Sequence, residues 1–139
     1  MPGYILPLTA ARMYLDHLPS EDSLCCDLKQ QNDFFAGNLL PDSVREKSRS
    51  HFRDPAYRDR MIEWPHPERF RRKYCDLMSD AGCRGYWFHL YIDQRFFRDY
   101  IPRVAEFLDE SGVVTDRRDE TAYVLVKKSG ERITLSRYL

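Results

Sequence analysis

Residues 86–92 read Tyr-Trp-Phe-His-Leu-Tyr-Ile, and this stretch decides the predicted fold class. It carries aromatic and aliphatic side chains at both odd and even positions, which is typical of an interior strand buried on both faces. Upstream of it, apolar residues recur at the spacing of amphipathic helices. Downstream, short apolar runs are separated by glycine turns. The sequence therefore predicts an α+β fold in which a helical N-terminal half packs with a small, mainly antiparallel sheet formed by the C-terminal half.

The N-terminal half is predicted to fold into helices separated by proline and glycine. The second helix begins at Ser20 or Ser23 and ends at Gly37. Pro67 occupies the first turn of the last helix, which Gly82 closes. The predicted helices cover residues 9–18, 20–37, 41–54, 57–64 and 67–82.

The C-terminal half is predicted to combine one helix with several strands. The helix of residues 94–110 begins after the capping side chain of Asp93 and ends at Gly112. Ser129-Gly130 has the composition of a two-residue hairpin turn. Besides residues 86–92, the predicted strands are 113–114, 121–128 and 131–138. The sheet therefore has three or four strands, with helix 94–110 packed against it.

Length and terminal composition indicate one domain without a targeting segment. A chain of 139 residues has the size of one globular domain, which we expect to span residues 1–139. Its first residues lack the cationic start and the apolar run of a signal peptide. No run of about 18 apolar residues predicts a transmembrane helix. We therefore expect a cytoplasmic protein that makes no membrane contact.

The spacing of the cysteines favours free thiols over a bound metal. The four cysteines are Cys25, Cys26, Cys75 and Cys83. Adjacent cysteines do not readily pair with each other, and the gap from Cys75 to Cys83 exceeds the two-residue spacing of zinc knuckles. A zinc site made of Cys75, Cys83, His66 and His89 is the alternative. We expect reduced cysteines, no bound metal and no cofactor.

The formal net charge is zero, but the charged side chains are distributed unevenly. Residues 1–44 carry two basic and six acidic side chains, whereas residues 45–73 carry ten basic and five acidic ones. Residues 74–139 carry ten and eleven. The basic middle segment is either a solvated face with local ion pairs or a patch that binds phosphate groups or an acidic protein surface.

The strongest candidate binding site is the stretch 64–73, in which two prolines fix the backbone ahead of a basic helix. Its side chains can grip phosphate or a carboxylate-rich protein surface, although a solvated amphipathic helix has the same composition. The polar loop of residues 116–120 is a further contact candidate, because loops often carry function. The predicted partner-binding residues are Trp64, His66, Arg69, Arg72, Lys73, Asp116, Asp119 and Glu120.

The sequence contains no common catalytic fingerprint. It lacks a glycine-rich phosphate loop, a nucleophile elbow and a pair of histidines at metal-binding spacing. His89 is predicted in the middle of a strand, where a single histidine is more often a hydrogen-bonded structural residue than a general base. We therefore expect a non-enzymatic protein-binding module, of the inhibitor or bacterial immunity or antitoxin type, that docks on and neutralises a partner protein such as a toxin or enzyme. The alternative is a small nucleic-acid-binding protein that uses residues 45–73.

Overall fold

The computed structural model describes residues 3–135. The chain divides into two compact units. The helical unit consists of Met1–Arg53 and Pro65–Gln94, and the sheet unit consists of Asp54–Trp64 and Arg95–Leu139. Helices dominate the first half of the chain and a three-stranded antiparallel sheet lies in the second half, which confirms the predicted α+β class.

Among residues 3–135, the helical unit holds five α-helices. They are α1 (Ile5–Asp16), α2 (Leu28–Leu39), α3 (Lys47–Ser50), α4 (Pro67–Lys73) and α5 (Ala81–Gln94). Short 3-10 turns lie at Ser23–Cys25, Leu40–Asp42 and Cys75–Leu77. The Asp27 carboxylate caps α2 by accepting a hydrogen bond from the N–H of Gln30, and α4 begins at Pro67 as predicted.

Residues 86–92 lie inside α5, so the interior strand predicted there is wrong. The rings of Trp87 and Tyr91, one turn apart, stack with their centroids 5.3 Å from each other. The strand preference of the aromatic residues is overridden because the whole segment buries one helical face in the core. The buried residues of α5 recur at helical spacing and include Ala81, Gly85, Phe88, His89 and Asp93.

The backbones of α2 and α5 approach each other closely at two glycines. A Cβ atom at Gly85 would lie 1.9 Å from the carbonyl oxygen of Phe34. A Cβ atom at Gly37 would lie 1.9 Å from the carbonyl oxygen of Gly82. Both positions therefore require glycine for reasons of space. Gly37 lies inside α2 and Gly82 inside α5, so the helix ends predicted at these two glycines are wrong.

The core of the helical unit is aromatic and aliphatic. The Phe34 ring lies 5.8 Å from that of Phe88 and 5.7 Å from that of Tyr14, between ring centroids. These contacts join α1, α2 and α5. The buried hydrophobic cluster comprises Ala11, Leu15, Leu24, Phe34, Ala81 and Phe88.

Four of the predicted helices are divided, shortened or absent in the structure. The predicted helix 20–37 is divided, because Asp27 caps a new helix after the 3-10 turn at Ser23–Cys25. Residues 41–54 contribute only α3 and the end of a 3-10 turn. The predicted helix 57–64 is wrong, since that region holds only the end of a 3-10 turn at Pro55–Tyr57. The predicted helix 67–82 is also divided, since α4 ends at Lys73, a 3-10 turn spans Cys75–Leu77, and Leu77 is 55% exposed.

The sheet unit contains an antiparallel meander. Its strands are β1 (Ala105–Leu108), β2 (Tyr123–Val126) and β3 (Arg132–Thr134), hydrogen-bonded in the order β1-β2-β3. Leu108 pairs with Tyr123 at one end of the first ladder. Gly130 lies in the turn between β2 and β3 with φ +70°, a conformation that favours glycine.

The predicted helix 94–110 is wrong beyond residue 104. A π-helix spans Arg95–Tyr100, α6 spans Ile101–Val104, and β1 follows at once. Pro102 lies in the first turn of α6, which is where proline is tolerated in a helix. β2 and β3 fall within the predicted strands, although residues 136–138 lie outside the described residues. In the part of the chain that is described, no helix is both long and apolar enough to span a membrane.

Candidate metal centre

Two carboxylates and two imidazoles meet in the interior of the helical unit. Asp42 ends the 3-10 turn that follows α2, and His51 follows α3 directly. His89 and Asp93 are four residues apart on α5, so they lie on the same side of that helix. The exposed fraction of the side chain is 4% for Asp42, 0% for His51, 1% for His89 and 2% for Asp93.

The ligating atoms of this cluster lie close together. The Nε2 atoms of His51 and His89 are 3.3 Å apart, and each lies 3.5 Å from Oδ2 of Asp93. His51 Nε2 is 3.4 Å from Asp42 Oδ1, and His89 Nε2 is 3.9 Å from Asp42 Oδ2. Among the described residues, Asp42, His51 and His89 form a group whose ligand atoms all lie within 4.8 Å of one another.

The backbone fixes the tautomer of both histidines. Nδ1 of His89 lies 2.7 Å from the carbonyl oxygen of Asn38, and Nδ1 of His51 lies 2.9 Å from the carbonyl oxygen of Lys47. A carbonyl oxygen can only accept a hydrogen bond, so both Nδ1 atoms must donate one. In the neutral imidazoles both Nε2 atoms then carry lone pairs. Four acceptor groups therefore face one another with no donor between them.

This arrangement requires a cation. Burial raises the pKa of Asp93, and that pKa falls to about 2 only with protons on the Nε2 atoms of His51 and His89, whose hydrogen bonds then outweigh the effect of burial. Asp93 is therefore an anion only where a cation, either those protons or a metal ion, lies beside it. Oδ1 of Asp93 and Oδ1 of Asp42 are buried without a hydrogen-bond partner. Lys47 Nζ forms an ion pair of 3.7 Å with Asp42 Oδ1, which supplies one positive charge against the two carboxylates.

The distances around the two histidines match the spacing of ligand atoms in a tetrahedral metal site. Bonds from zinc to nitrogen and oxygen are about 2.0–2.1 Å long, so neighbouring ligand atoms around tetrahedral zinc lie about 3.3–3.4 Å apart. Of the five distances that involve a histidine Nε2, four are 3.3–3.5 Å and the fifth is 3.9 Å. The carbonyl oxygens that hold Nδ1 are the outer contacts that orient metal-binding histidines.

The backbone around His51 is held firmly. Phe52, the next residue, has φ +52°, a left-handed conformation that costs a non-glycine residue about 1–2 kcal/mol. Its ring packs edge-on against Phe70 of α4, with 5.5 Å between centroids. Tyr86 of α5 donates a hydrogen bond of 2.7 Å to the carbonyl oxygen of Ser50, and burial raises the pKa of Tyr86 to about 12. The segment that carries His51 is therefore fixed to α4 and α5.

The predicted partner-binding residues divide between the two units. His66, Arg69, Arg72 and Lys73 lie at the start of α4 or on it, and His66 Nδ1 is 2.9 Å from Glu68 Oε1. In the sheet unit, Trp64 stacks on Tyr57, and the acidic residues of the loop contact arginines. Those acidic residues are Asp116, Asp119 and Glu120. Partner binding by these residues stays a prediction.

The cluster was not predicted, because the strand assigned to residues 86–92 included His89. On a helix, His89 and Asp93 form a two-ligand motif at i and i+4. His89 contacts Asn38 and His51, whereas the suggested zinc set joined it to Cys75, Cys83 and His66. All four cysteines are free thiols. Asp42 and His51 carry no local sequence signal for metal binding, since the short helix α3 separates them.

The comparisons with known proteins do not add to this description. No protein-family model, no curated protein and no solved structure matches the chain.

Proposed function

We propose that the helical unit is a zinc-binding domain whose ion is held by Asp42, His51, His89 and Asp93. The observation that carries this proposal is the convergence of two lone-pair Nε2 atoms and two buried carboxylates, with distances of 3.3–3.5 Å from the Nε2 atoms to the neighbouring ligand atoms. Imidazole ligands suit zinc and its neighbours among the transition metals, whereas calcium and magnesium prefer oxygen ligands alone. A divalent ion also neutralises the two carboxylates.

The burial of the four ligands supports a structural role for the ion. Catalytic zinc sites keep one coordination position open to water or substrate, whereas structural sites are closed by four protein ligands. All four side chains here are at most 4% exposed. They come from three segments of the helical unit, so a shared ion would tie the turn after α2 and the end of α3 to α5.

Metal analysis of the purified protein tests this proposal. We expect one zinc ion per chain, removable by a chelator, with a fall in Tm on removal and its recovery when zinc is returned. Cobalt substitution should give the intense visible absorption of tetrahedral Co²⁺. His89→Gln should abolish stoichiometric binding of both ions.

His17→Gln is the matched control, because His17 is an exposed histidine of the same unit and lies directly after α1. It should leave the metal content and the Tm unchanged. A protein that binds no divalent transition metal, or a His89→Gln variant that binds zinc as tightly as the parent, would refute the proposal. In that case protons on the histidines supply the cation that the cluster needs.

The functions expected from the sequence remain proposals alongside this one. They are a cytoplasmic protein-binding module of the inhibitor or immunity type and, as the alternative, a nucleic-acid-binding protein. The basic residues of α4 that support them are exposed, which is compatible with either partner. A structural zinc ion in the helical unit is compatible with both.

A further inference from the structure

A cavity in the helical unit, separate from the proposed zinc ligands, has no role in the functions considered so far. Its volume is about 230 Å³, slightly below the roughly 300–1,000 Å³ that is usual for drug-sized ligands. Four aromatic side chains line it: Tyr14, Phe34, Trp87 and Phe88. The other lining residues are Met78, Arg71 and Arg84. The cavity is therefore a small aromatic chamber with two cationic groups.

The aromatic walls are held in place by one another. The rings of Tyr14 and Phe88 lie 4.7 Å apart, and those of Tyr14 and Phe34 are stacked with an interplanar angle of 17°. Trp87 stacks on Tyr91. Since these residues come from α1, α2 and α5, the chamber is formed by the packed helices themselves. A flat apolar group would bind against side chains that are already ordered, which reduces the entropic cost of binding.

The two arginines differ in the charge that they offer to a ligand. Arg84 donates hydrogen bonds of 3.2 and 3.1 Å to the two carboxylate oxygens of Asp22, and another of 3.1 Å to the Tyr14 hydroxyl. Its charge is therefore compensated within the protein. Arg71 is exposed on α4 and makes no ion pair among the described residues. Arg71 is thus the cation of the cavity that remains available.

We propose that this cavity binds a small organic anion with a flat aromatic body, whose anionic group pairs with Arg71. Aromatic rings stack favourably at offset geometry, and a guanidinium forms paired hydrogen bonds with carboxylate, sulfonate or phosphate oxygens. A cationic ligand is disfavoured, because the one uncompensated charge of the lining is positive. The proposal does not depend on the zinc site, whose ligands do not line the cavity.

Two fluorescent probes that share an aromatic body test the role of charge. The anion 1-anilinonaphthalene-8-sulfonate carries a sulfonate, and the neutral N-phenyl-1-naphthylamine lacks it. We expect the sulfonate probe to bind the native protein with 1:1 stoichiometry and to accept energy from tryptophan. Trp87→Phe should reduce that energy transfer, because Trp87 lines the cavity.

Variants of α4 separate a specific contact from the general positive charge of that helix. Arg71→Gln should weaken binding of the sulfonate probe by about fivefold or more and leave binding of the neutral probe unchanged. Arg72→Gln is the matched control, because Arg72 is exposed on the same helix but does not line the cavity. It should change neither affinity by more than about twofold.

Three results would overturn the proposal. The first is the absence of saturable binding to the native protein, whose fold is checked by near-UV circular dichroism. The second is equal weakening by Arg71→Gln and Arg72→Gln, which would indicate nonspecific attraction to α4. The third is unchanged energy transfer in Trp87→Phe, which would place the probe elsewhere.

Discussion

Each unit of the protein contains a cluster of ionisable side chains, and the two clusters differ in burial and in charge balance. The cluster of the helical unit consists of Asp42, His51, His89 and Asp93 and is buried. The cluster of the sheet unit consists of Asp59, Arg60, Asp116, Arg117, Asp119 and Glu120. Its side chains are 38–72% exposed. Carboxylates thus lie beside basic side chains in both units, but the cluster is buried in one unit and exposed to solvent in the other.

The exposed cluster satisfies its own charges. Arg117 Nη1 lies 3.1 Å from Asp59 Oδ2, and its Nε lies 3.5 Å from Asp119 Oδ1. Arg60 contacts Asp116 and Asp59. The charges of Asp59 and Asp119 raise the pKa of Arg117, which stays a cation. Donors face acceptors throughout, so this cluster needs no further ligand.

The comparison shows which property identifies a ligand site. Runs of charge in the sequence do not do so, because the exposed cluster is as rich in charge as the buried one. The distinguishing property is an excess of buried acceptors, which costs several kcal/mol per charged group unless a cation or donor is supplied. Both clusters can be altered by matched substitutions that test this distinction.

The largest expected effect comes from removing one carboxylate from each cluster. In the zinc-loaded protein, Asp93→Asn should lower the free energy of unfolding by about 3–5 kcal/mol, because it removes one partner of a buried charge cluster. Asp116→Asn, on the exposed cluster, should cost about 0–1 kcal/mol. Chemical unfolding of the two variants and the parent, at equal zinc concentration, measures both values.

The response to a chelator sharpens this first prediction. Zinc-free parent protein retains the buried carboxylates without their cation, so Asp93→Asn should be less destabilising in chelator than in zinc. Equal destabilisation in both conditions would mean that Asp93 acts through packing or hydrogen bonds alone. An Asp93→Asn variant that is more stable than the zinc-loaded parent would contradict the assignment of the cluster.

A smaller effect is expected at the helix contact that positions the buried cluster. At Gly85 an added Cβ would lie 1.9 Å from the Phe34 carbonyl oxygen and 3.0 Å from the Asn38 nitrogen. Gly85→Ala should therefore force α2 and α5 apart, at a cost of about 1–3 kcal/mol. It should also lower zinc affinity, because the Asn38 carbonyl oxygen orients His89.

Gly82→Ala is the control in the same helix, where the nearest atom to an added Cβ is Asp80 Oδ1 at 3.2 Å. The two substitutions gain similar helix propensity, about 1 kcal/mol, so their difference reports the close approach at Gly85. Gly82→Ala should be near neutral. If the two variants unfold at the same denaturant concentration, the helix contact is not what positions the cluster.

The fold class and several helices, strands and turns could be predicted from the sequence. Proline at the start of α4, the glycine turn between β2 and β3 and the position of β2 are local signals, which sequence patterns report directly. The error at residues 86–92 had a nonlocal cause. Whether an aromatic, apolar run becomes a strand or a buried helix depends on its neighbour, and here Gly85 permits α2 to approach.

The candidate site could not be predicted from sequence patterns, because it is also nonlocal. His51 and His89 are 38 residues apart, and the site exists only when the segment after α3 folds against α5. The strand assignment also concealed that Asp93 follows His89 by one helical turn. Partner binding was predicted for the basic segment 45–73 instead, although charge alone does not distinguish a binding site from a solvated face.

The smallest effect is expected from the exposed cluster when its central cation is removed. Arg117→Gln leaves three carboxylates without their shared partner, yet all of them remain hydrated. We expect it to lower the free energy of unfolding by less than about 1 kcal/mol. The difference in free energy of unfolding between parent and variant should largely disappear in 1 M salt, because the screening length falls there to about 3 Å. Zinc content should not change.

Unfolding curves of parent and variant at low and high salt give the measurement. A loss above about 2 kcal/mol that persists in 1 M salt would show that this cluster is as integral to its unit as the buried one, and the distinction by burial would fail.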